Sequence, residues 1–152
     1  QRARLAPIRC LRRSPRLRKN FNFHNRDDNP CQRLLNAILP QSYIQPHRHL
    51  DPAKEEMLVV LRGRLGLVFF DDAGNVVDTA LLEAGGEQLA VNIPPGQFHT
   101  IVALGDGAIV FEAKAGPYVP HAPQEKAVFA PEETAAEAGG YLNQLRKLFD
   151  VG

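Results

Sequence analysis

The chain has few cysteines, no long apolar run and no acidic residue in its first 19 positions. Cys10 and Cys31 are the two cysteines among 152 residues, too few for a disulfide framework, so we interpret them as reduced thiols of a cytoplasmic protein. No apolar segment approaches the ~20 residues of a membrane helix, and no signal-peptide apolar stretch follows the basic start. We therefore expect a cytoplasmic protein without a membrane segment.

Enough apolar residues are present to build a folded core. Leu, Ile, Val and Phe total 43 residues, which excludes a disordered chain, and the length fits one domain. Residues 1–19 hold eight of the eighteen Lys and Arg, so the other ten bases face all seventeen acids, a formal charge of −7. Such a basic segment suits a nucleic-acid patch, a targeting segment or a folded segment whose arginines face an anion.

Short apolar runs rich in valine follow one another from residue 31, separated by Gly, Pro and Asp. This pattern is typical of β-strands, and residues 72–75 and 105–107 have the composition of hairpin turns. Because no helical pattern alternates with the strands, the sequence predicts an all-β sandwich or barrel. The predicted strands are 31–39, 56–61, 64–70, 76–82, 89–93, 98–103 and 108–113.

The end of the chain contains the one convincing helix pattern. Pro131 followed by two glutamates is typical of a helix start, although Gly139-Gly140 lies within the predicted span. The apolar residues of this helix form one stripe that we expect to cover the sheet, namely Tyr141, Leu142, Leu145, Leu148 and Phe149. We predict a single domain over 1–152, with an N-terminal segment at 1–30, a barrel at 31–130 and a helix at 131–150.

Histidines and one glutamate lie at the boundaries of the predicted strands. His47 and His49 are two residues apart, so both project from one face of an extended segment. Glu56 opens the next strand, and a Pro-Gly turn delivers His99 to the start of another. Three neutral imidazoles and one carboxylate suit one divalent transition metal ion, such as Zn, Fe, Ni or Mn, with open coordination positions.

This pattern resembles the two cupin motifs, an HxH with a Glu and a Gly, and a PxGxxH. The resemblance implies a cupin jelly-roll (double-stranded β-helix) barrel whose metal ligands are His47, His49, Glu56 and His99. The chain departs from the first motif at Gln41, where a Gly is usual, and in the six residues between the HxH and its Glu. Glu55 therefore competes with Glu56 as the ligand, but only Glu56 keeps the spacing to Gly63.

A narrower resemblance covers residues 14 to 133. The chain looks like the WbuC-type cupin fold metalloproteins, a bacterial family associated with surface-polysaccharide gene clusters, whose reaction is not established. Cupins commonly pair, so the resemblance also implies a homodimer. The matching strings are SPRLR at 14–18, NFH at 22–24, QRLL at 32–35, YIQPHRH at 43–49, KEE at 54–56, FEAKAGPY at 111–118 and APEE at 130–133.

Polar residues alternate before the first predicted strand. If this segment is extended they share one face, which suits binding of a carboxylate or phosphate, or pairing with an acid of the body such as Glu112 or Asp27. We call these residues the polar ladder: Arg16, Arg18, Asn20, Asn22 and His24. Candidate substrate-binding residues are Arg16, Arg18, Asn22, Lys54 and Glu112.

Glu112 and Lys114 share a face of the last predicted strand, and Tyr118 follows it. They form a surface ion pair of little energetic weight, or they line a cavity where a proton is transferred. Tyr118, Lys114 and His24 are the candidate catalytic residues. His121 lies in a proline-rich loop and is interpreted as a solvated histidine.

Three functions fit this sequence. The first is a metal-dependent isomerase or epimerase acting on a small anionic or sugar-related molecule. The second is a non-haem iron or nickel dioxygenase, and the third is a binding module without turnover, because jelly-roll barrels host all three. Residues 16–24 belong to the folded unit in this interpretation, so only 1–13 remain a solvated arm. The charge asymmetry then favours a small anion, or pairing within the protein, over nucleic acid.

Overall fold

Antiparallel strands make up most of the structure, a computed structural model that describes residues 13–150. The sheet order is β1-β2-β6-β3-β4, and β5 pairs with β3. This arrangement, with one short C-terminal helix, confirms the all-β prediction. The elements are β1 (Arg18–Asn22), β2 (Cys31–Ile38), β3 (Glu56–Phe70), β4 (Val76–Glu83), β5 (Ala90–Ile93), β6 (Phe98–Ala115), a 3-10 turn (Pro123–Glu125) and α1 (Ala138–Lys147).

Two pairs of predicted strands are each one continuous strand. β3 combines the runs predicted at 56–61 and 64–70, and β6 combines those at 98–103 and 108–113. The hairpin turn predicted at 105–107 is therefore wrong, because those residues lie inside β6. The turn at 72–75 is observed between β3 and β4, where the Asp71 N–H donates to the Asn75 carbonyl at 3.0 Å.

β3 and β6 form a long ribbon that bends where its register shifts, on either side of Arg62. Gly63 has a φ of +76°, and a Cβ there would overlap the carbonyl oxygen of Gly107 on β6. Bulges and glycines of this kind allow a strand to turn a corner without losing its pairing. Gly63 is thus required for the bend within β3, not for a turn between two strands.

The bend brings the two ends of this ribbon together. Glu56 pairs with Lys114 at one end, and Phe69 pairs with His99 at the other. The thirteen residue-to-residue steps from Glu56 to Phe69 would span ~43 Å of straight strand at about 3.3 Å per residue. Instead, Glu56 Oε2 lies 3.7 Å from His99 Nε2. The candidate site therefore exists because the ribbon closes on itself.

The core has two main parts, one inside the folded sheet and one beneath α1. Leu58, Leu65 and Leu67 are fully buried in the first part. Leu142 and Leu145 of α1 pack in the second, which confirms that the helix covers the sheet. The helix begins at Ala138, seven residues after the predicted start, so the two glycines lie in its first turn and do not interrupt it.

The predicted N-terminal segment contributes a strand to the sheet. β1 pairs antiparallel with β2 over its whole length, although its sequence was not predicted to be a strand. Residues 1–12 of the predicted solvated arm, including Cys10, lie outside the described residues. Cys31 is an exposed free thiol. Across residues 13–150, the helices are too short or too polar to cross a membrane.

Candidate metal centre

The HxH segment lies against the start of β6, held there by the backbone. The His47 N–H donates to the His99 carbonyl at 3.0 Å, and the His99 N–H donates to the His47 carbonyl at 2.9 Å. Glu56 is the first residue of β3 and reaches the same place from the other end of the ribbon. Two strand ends and one loop therefore deliver these side chains to one point.

The rings of His47 and His99 are oriented in the same way. Nδ1 of His47 lies 3.1 Å from the Gln45 carbonyl, and Nδ1 of His99 lies 2.9 Å from the Gln97 carbonyl. A carbonyl only accepts, so each Nδ1 carries the proton and each Nε2 presents a lone pair. Nε2 of His99 is buried and has no hydrogen-bond partner among the residues described. A buried, unpartnered acceptor nitrogen of this kind fits a metal ligand.

Protonation states at this point also suit a cation. Burial lowers the pKa of His47 well below its ordinary value, and the neighbouring His99 adds to the effect. Burial alone would raise the pKa of Glu56, but its contacts with His49 and His99 and the charge of Lys114 outweigh burial and lower it. Metal ligands must be deprotonated, so a neutral imidazole beside a charged carboxylate is the required combination.

The possible donor atoms form two overlapping groups of three. One group is His47, Glu56 and His99, and the other is His47, His49 and His121; within each, the donor atoms lie within 4.8 Å of one another. His49 also contacts the first group, because its Nε2 lies 2.9 Å from Glu56 Oε2. The structure thus brings the four predicted ligands together and adds His121.

His121 is the residue that the sequence interpretation missed. It is not a solvated loop residue, because its ring centroid lies 4.4 Å from that of His47 and 5.1 Å from that of His49. Burial, with the charges of His49 and Lys114, lowers the pKa of His121 to about 4. Its local sequence contains no ligand motif, and its position depends on contacts between segments distant in the chain.

Two cavities are lined by residues of this group, and a third lies beside them and shares Glu112 and Lys114 with the inner one. The inner cavity, ≈150 Å³, is lined by His47, Glu56, His99, Glu112 and Lys114, with Arg16, Arg18, Asn20, Asn36, Ile44 and Ile101. The outer cavity, ≈500 Å³, includes His47, His121, Tyr118, Arg16 and Lys126 in its lining. The side cavity, ≈180 Å³, includes Asn22, His24, Tyr118, Glu112 and Lys114. His47 lines both the inner and the outer cavity.

Glu112 and Lys114 form an ion pair that lines the inner and side cavities. Lys114 Nζ donates to Glu112 Oε1 at 2.7 Å, and the side chains are only 17% and 11% exposed. Burial and the charge of Glu56 raise the pKa of Glu112. Burial opposes the charged form of Lys114, yet the charges of Glu112 and Glu56 outweigh it and raise the lysine pKa. The structure therefore favours the interpretation in which this pair lines a cavity over the one in which it is a surface ion pair.

The polar ladder does not act as one surface. The Arg18 guanidinium donates to both carboxylate oxygens of Glu133, at 2.6 and 2.8 Å, and to the Tyr43 carbonyl at 3.0 Å. Its acidic partner is thus neither of the two considered from the sequence. Arg16 lines the inner and outer cavities, whereas Asn22 and His24 line the side cavity.

The remaining candidates lie at different distances from the histidines. Lys54 Nζ donates to the Pro117 carbonyl at 3.0 Å. His24 Nδ1 accepts the backbone N–H of Arg33 at 3.0 Å. Tyr118 is 53% exposed and lines the outer and side cavities. Of the three catalytic candidates, only Lys114 lines the cavity that holds Glu56 and His99.

Comparison with known proteins identifies the fold. Residues 8–82 match a family described as a domain of unknown function, DUF6016, and no curated protein sequence matches the chain. KdgF from Halomonas sp. superposes with a TM-score of 0.52 at 14% identity, over 68% of this chain and 82% of that protein. A cupin superfamily protein from Desulfitobacterium hafniense gives 0.50 at 10% identity, over 64% and 76%.

A third solved structure, CapF with the inhibitor 3-isopropenyl-tropolone, gives a TM-score of 0.51 at 23% identity. The match covers 62% of this chain but only 27% of CapF. These similarities show the fold: this is a cupin jelly roll. Within that fold, the chain carries a buried histidine–glutamate group of a kind that can hold a metal ion.

Proposed function

We propose that this chain is a metal-dependent enzyme of the isomerase or epimerase type, acting on a small anionic or sugar-related molecule. The observation that carries the proposal is the position of the Glu112–Lys114 ion pair. It lines the same cavity as His47, Glu56 and His99. A buried carboxylate–ammonium pair beside a metal-binding group supplies a proton acceptor and a positive charge that stabilises the anionic intermediate.

The proposed metal ligands are His47, His49, Glu56 and His99, holding one divalent transition ion such as Zn, Fe, Ni or Mn. The unpartnered Nε2 of buried His99 and the charged carboxylate of Glu56 support this assignment. When bound, such an ion polarises a carbonyl or hydroxyl oxygen as a Lewis acid.

Glu112 performs the proton transfer in this proposal. It removes a proton from the carbon next to the carbonyl and returns it to the former carbonyl carbon, while the hydroxyl proton of the first carbon passes to the former carbonyl oxygen. Glu112 therefore ends the reaction in the protonation state in which it began, and the substrate gains or loses no proton overall. An epimerisation needs a second acid on the opposite face of the carbon, for which Tyr118 is the candidate. Lys114 keeps its charge and stabilises the negative charge that develops on the substrate, while Arg16, at the junction of the inner and outer cavities, attracts its anionic group.

The substrate class and setting rest on the WbuC-type strings of the sequence. They support a sugar or sugar derivative and a role in bacterial surface-polysaccharide biosynthesis in the cytoplasm. A homodimer belongs to the same proposal, and sedimentation equilibrium of the purified chain measures it. A chain that is strictly monomeric at micromolar concentration would refute the dimer. It would not affect the proposed reaction.

Hydrogen exchange with solvent tests the chemistry. The metal-loaded protein, incubated anaerobically in D₂O with a panel of sugar phosphates and nucleotide sugars, should introduce deuterium into one of them, detected by NMR. Glu112→Gln and Lys114→Met should lose this exchange by at least ~100-fold, the lower range for a general acid–base group, while retaining the metal. Arg26→Gln, which breaks the exposed ion pair with Asp28, is the matched control and should exchange normally.

Two other outcomes of these assays would each identify a different function. A ligand that raises the melting temperature of the metal-loaded protein and is recovered without deuterium would identify a binding module instead. Substrate-dependent oxygen consumption would identify a dioxygenase. Either result overturns the isomerase proposal.

Metal content tests the centre itself. The double variant His47→Ala with His99→Ala should lose the bound ion, measured by elemental analysis after dialysis, while circular dichroism shows that it still folds. His24→Ala removes a histidine outside the group and should retain the metal. Undiminished stoichiometric metal in the double variant would refute the centre.

A further inference from the structure

His121 is the one histidine near the centre that the proposed four-ligand site does not use. It lies in the loop after β6 and lines the outer cavity, whereas Glu56 and His99 line the inner one. His47 lines both cavities and belongs to both groups of possible ligands. The two groups therefore share the imidazole of His47.

Hydrogen bonds fix the loop of His121 against the HxH segment. The Glu125 carboxylate accepts the Leu50 N–H through Oε1 and the Ala122 N–H through Oε2, each at 2.9 Å. The Arg48 N–H donates to the Glu125 carbonyl at 2.8 Å. Glu125 thus connects the residue after His49 with the residue after His121. These hydrogen bonds hold the segment of His121 against the segment of His49.

His47 has one nitrogen to offer. Its Nδ1 is engaged by the Gln45 carbonyl, so only Nε2 is free, and one imidazole nitrogen binds one ion at a time. The inner group contains a carboxylate, while the outer group consists of three imidazoles. Imidazole suits Zn, Ni and Cu, whereas carboxylate ligands favour Mn.

We propose that the histidine cluster offers a divalent ion two mutually exclusive positions, an inner one at the four proposed ligands, where His47, Glu56 and His99 group most closely, and an outer one at His47, His49 and His121. This inference rests on the metal centre of the proposed function and adds a second position to it. The outer position selects borderline ions such as Ni²⁺, and Mn²⁺ binds at the inner position alone.

The test measures ion binding directly, with no assay of activity. Wild type should bind one Ni²⁺ per chain by elemental analysis and by titration against a chromophoric chelator. His99→Gln, which breaks the inner position, should lose Mn²⁺ binding but still bind one Ni²⁺. Adding His121→Gln to that variant should weaken Ni²⁺ binding by at least ~10-fold, because a ligand is removed and not only a group that orients one. Glu56→Gln provides a second inner-position background should His99→Gln fail to fold.

Two controls accompany these variants. Gln124→Ala, an exposed change in the same loop, should leave Ni²⁺ binding to the His99→Gln protein unchanged. Glu125→Ala removes the tether of the loop and should weaken Ni²⁺ binding in that background by an intermediate factor.

Three results would overturn the inference. Ni²⁺ affinity within twofold between the His99→Gln variant and the His99→Gln, His121→Gln variant would remove the outer position. Two Ni²⁺ per wild-type chain would show that the positions are not exclusive. Wild type that binds neither ion would refute the outer position together with the metal centre of the proposed function, whereas the first two results leave that centre standing.

Discussion

The histidine cluster and the polar ladder start from the same sequence pattern and end differently. Alternation along an extended segment, which places every second side chain on one face, predicted that His47 and His49 point the same way and that the residues of the ladder share a face. The cluster converges, with His49 and His99 both within 3.7 Å of Glu56 Oε2. The side chains of the ladder line three different cavities, and the Arg18 guanidinium binds Glu133.

The difference lies in what orients each side chain. The rings of His47 and His99 are short and are each fixed by a carbonyl two residues earlier, so backbone position determines where their Nε2 atoms point. Arginine has a long flexible stem, and its guanidinium binds whichever carboxylate packing places within reach. Alternation therefore predicts a converging site well for short, backbone-anchored side chains and poorly for long ones.

The largest expected effect comes from removing the bend that closes the cluster. Gly63→Ala places a methyl group against the Gly107 carbonyl oxygen at a positive φ. Since the clash is with backbone that cannot rotate away, we expect a loss of more than ~4 kcal/mol in the free energy of unfolding, or no folding. Urea denaturation measures it, and metal content should fall with it.

Gly105→Ala is the matched control for this substitution. Its φ is also positive, +58°, but a Cβ there meets no atom within 4 Å. It should cost only the left-handed backbone strain, about 1–2 kcal/mol, and keep the metal. Equal losses for the two variants would show that conformation, and not closure of the ribbon against Gly107, limits the fold.

A smaller effect is expected in the ladder. Arg18→Met removes the bidentate pair with Glu133 and should cost about 1.5–3 kcal/mol, the range for hydrogen bonds to charged groups. Because Arg18 is engaged by Glu133, metal affinity should change by less than twofold. Arg26→Gln at an exposed ion pair should leave the unfolding midpoint nearly unchanged, because solvent screens exposed charges. A lost metal ion in Arg18→Met would instead place Arg18 with the cluster.

The sequence was sufficient for the parts of the site that depend on local pattern. Strand alternation paired His47 with His49, the positions of Glu56 and His99 at strand starts and the resemblance to the cupin motifs made them candidate ligands, and valine-rich runs indicated the all-β class. Pairing between strands that are distant in the chain could not be predicted from local sequence pattern. The apolar runs around Gly63 and Gly107 look like separate strands, because the contact that makes them one bent ribbon joins residues far apart in the chain.

His121 shows the same limit more sharply. Its neighbours Pro120 and Pro123 are typical of a loop, and a loop histidine is ordinarily solvated. What places it beside His47 is the Glu125 carboxylate binding the Leu50 N–H, a contact across 75 residues. The partner of Arg18 lies still further away, at Glu133. Such contacts are determined by the packed fold and have no local signature.

The smallest expected effect lies outside both regions, in the exposed turn between β3 and β4. It shows how stability depends on pH at a simple surface carboxylate, for comparison with the buried cluster. The Asn75 side chain and backbone N–H hold the pKa of Asp71 below its ordinary value. A carboxyl whose pKa is lowered on folding stabilises the protein above its unfolded pKa of about 3.9, and that contribution disappears as the pH falls through the folded value. Asp71→Asn should therefore melt below wild type at pH 7, and the gap should narrow from about pH 4 downward. A gap that stays constant from pH 7 to pH 3 in thermal melts would assign the effect of Asp71 to turn geometry, because charge would then have no part in it.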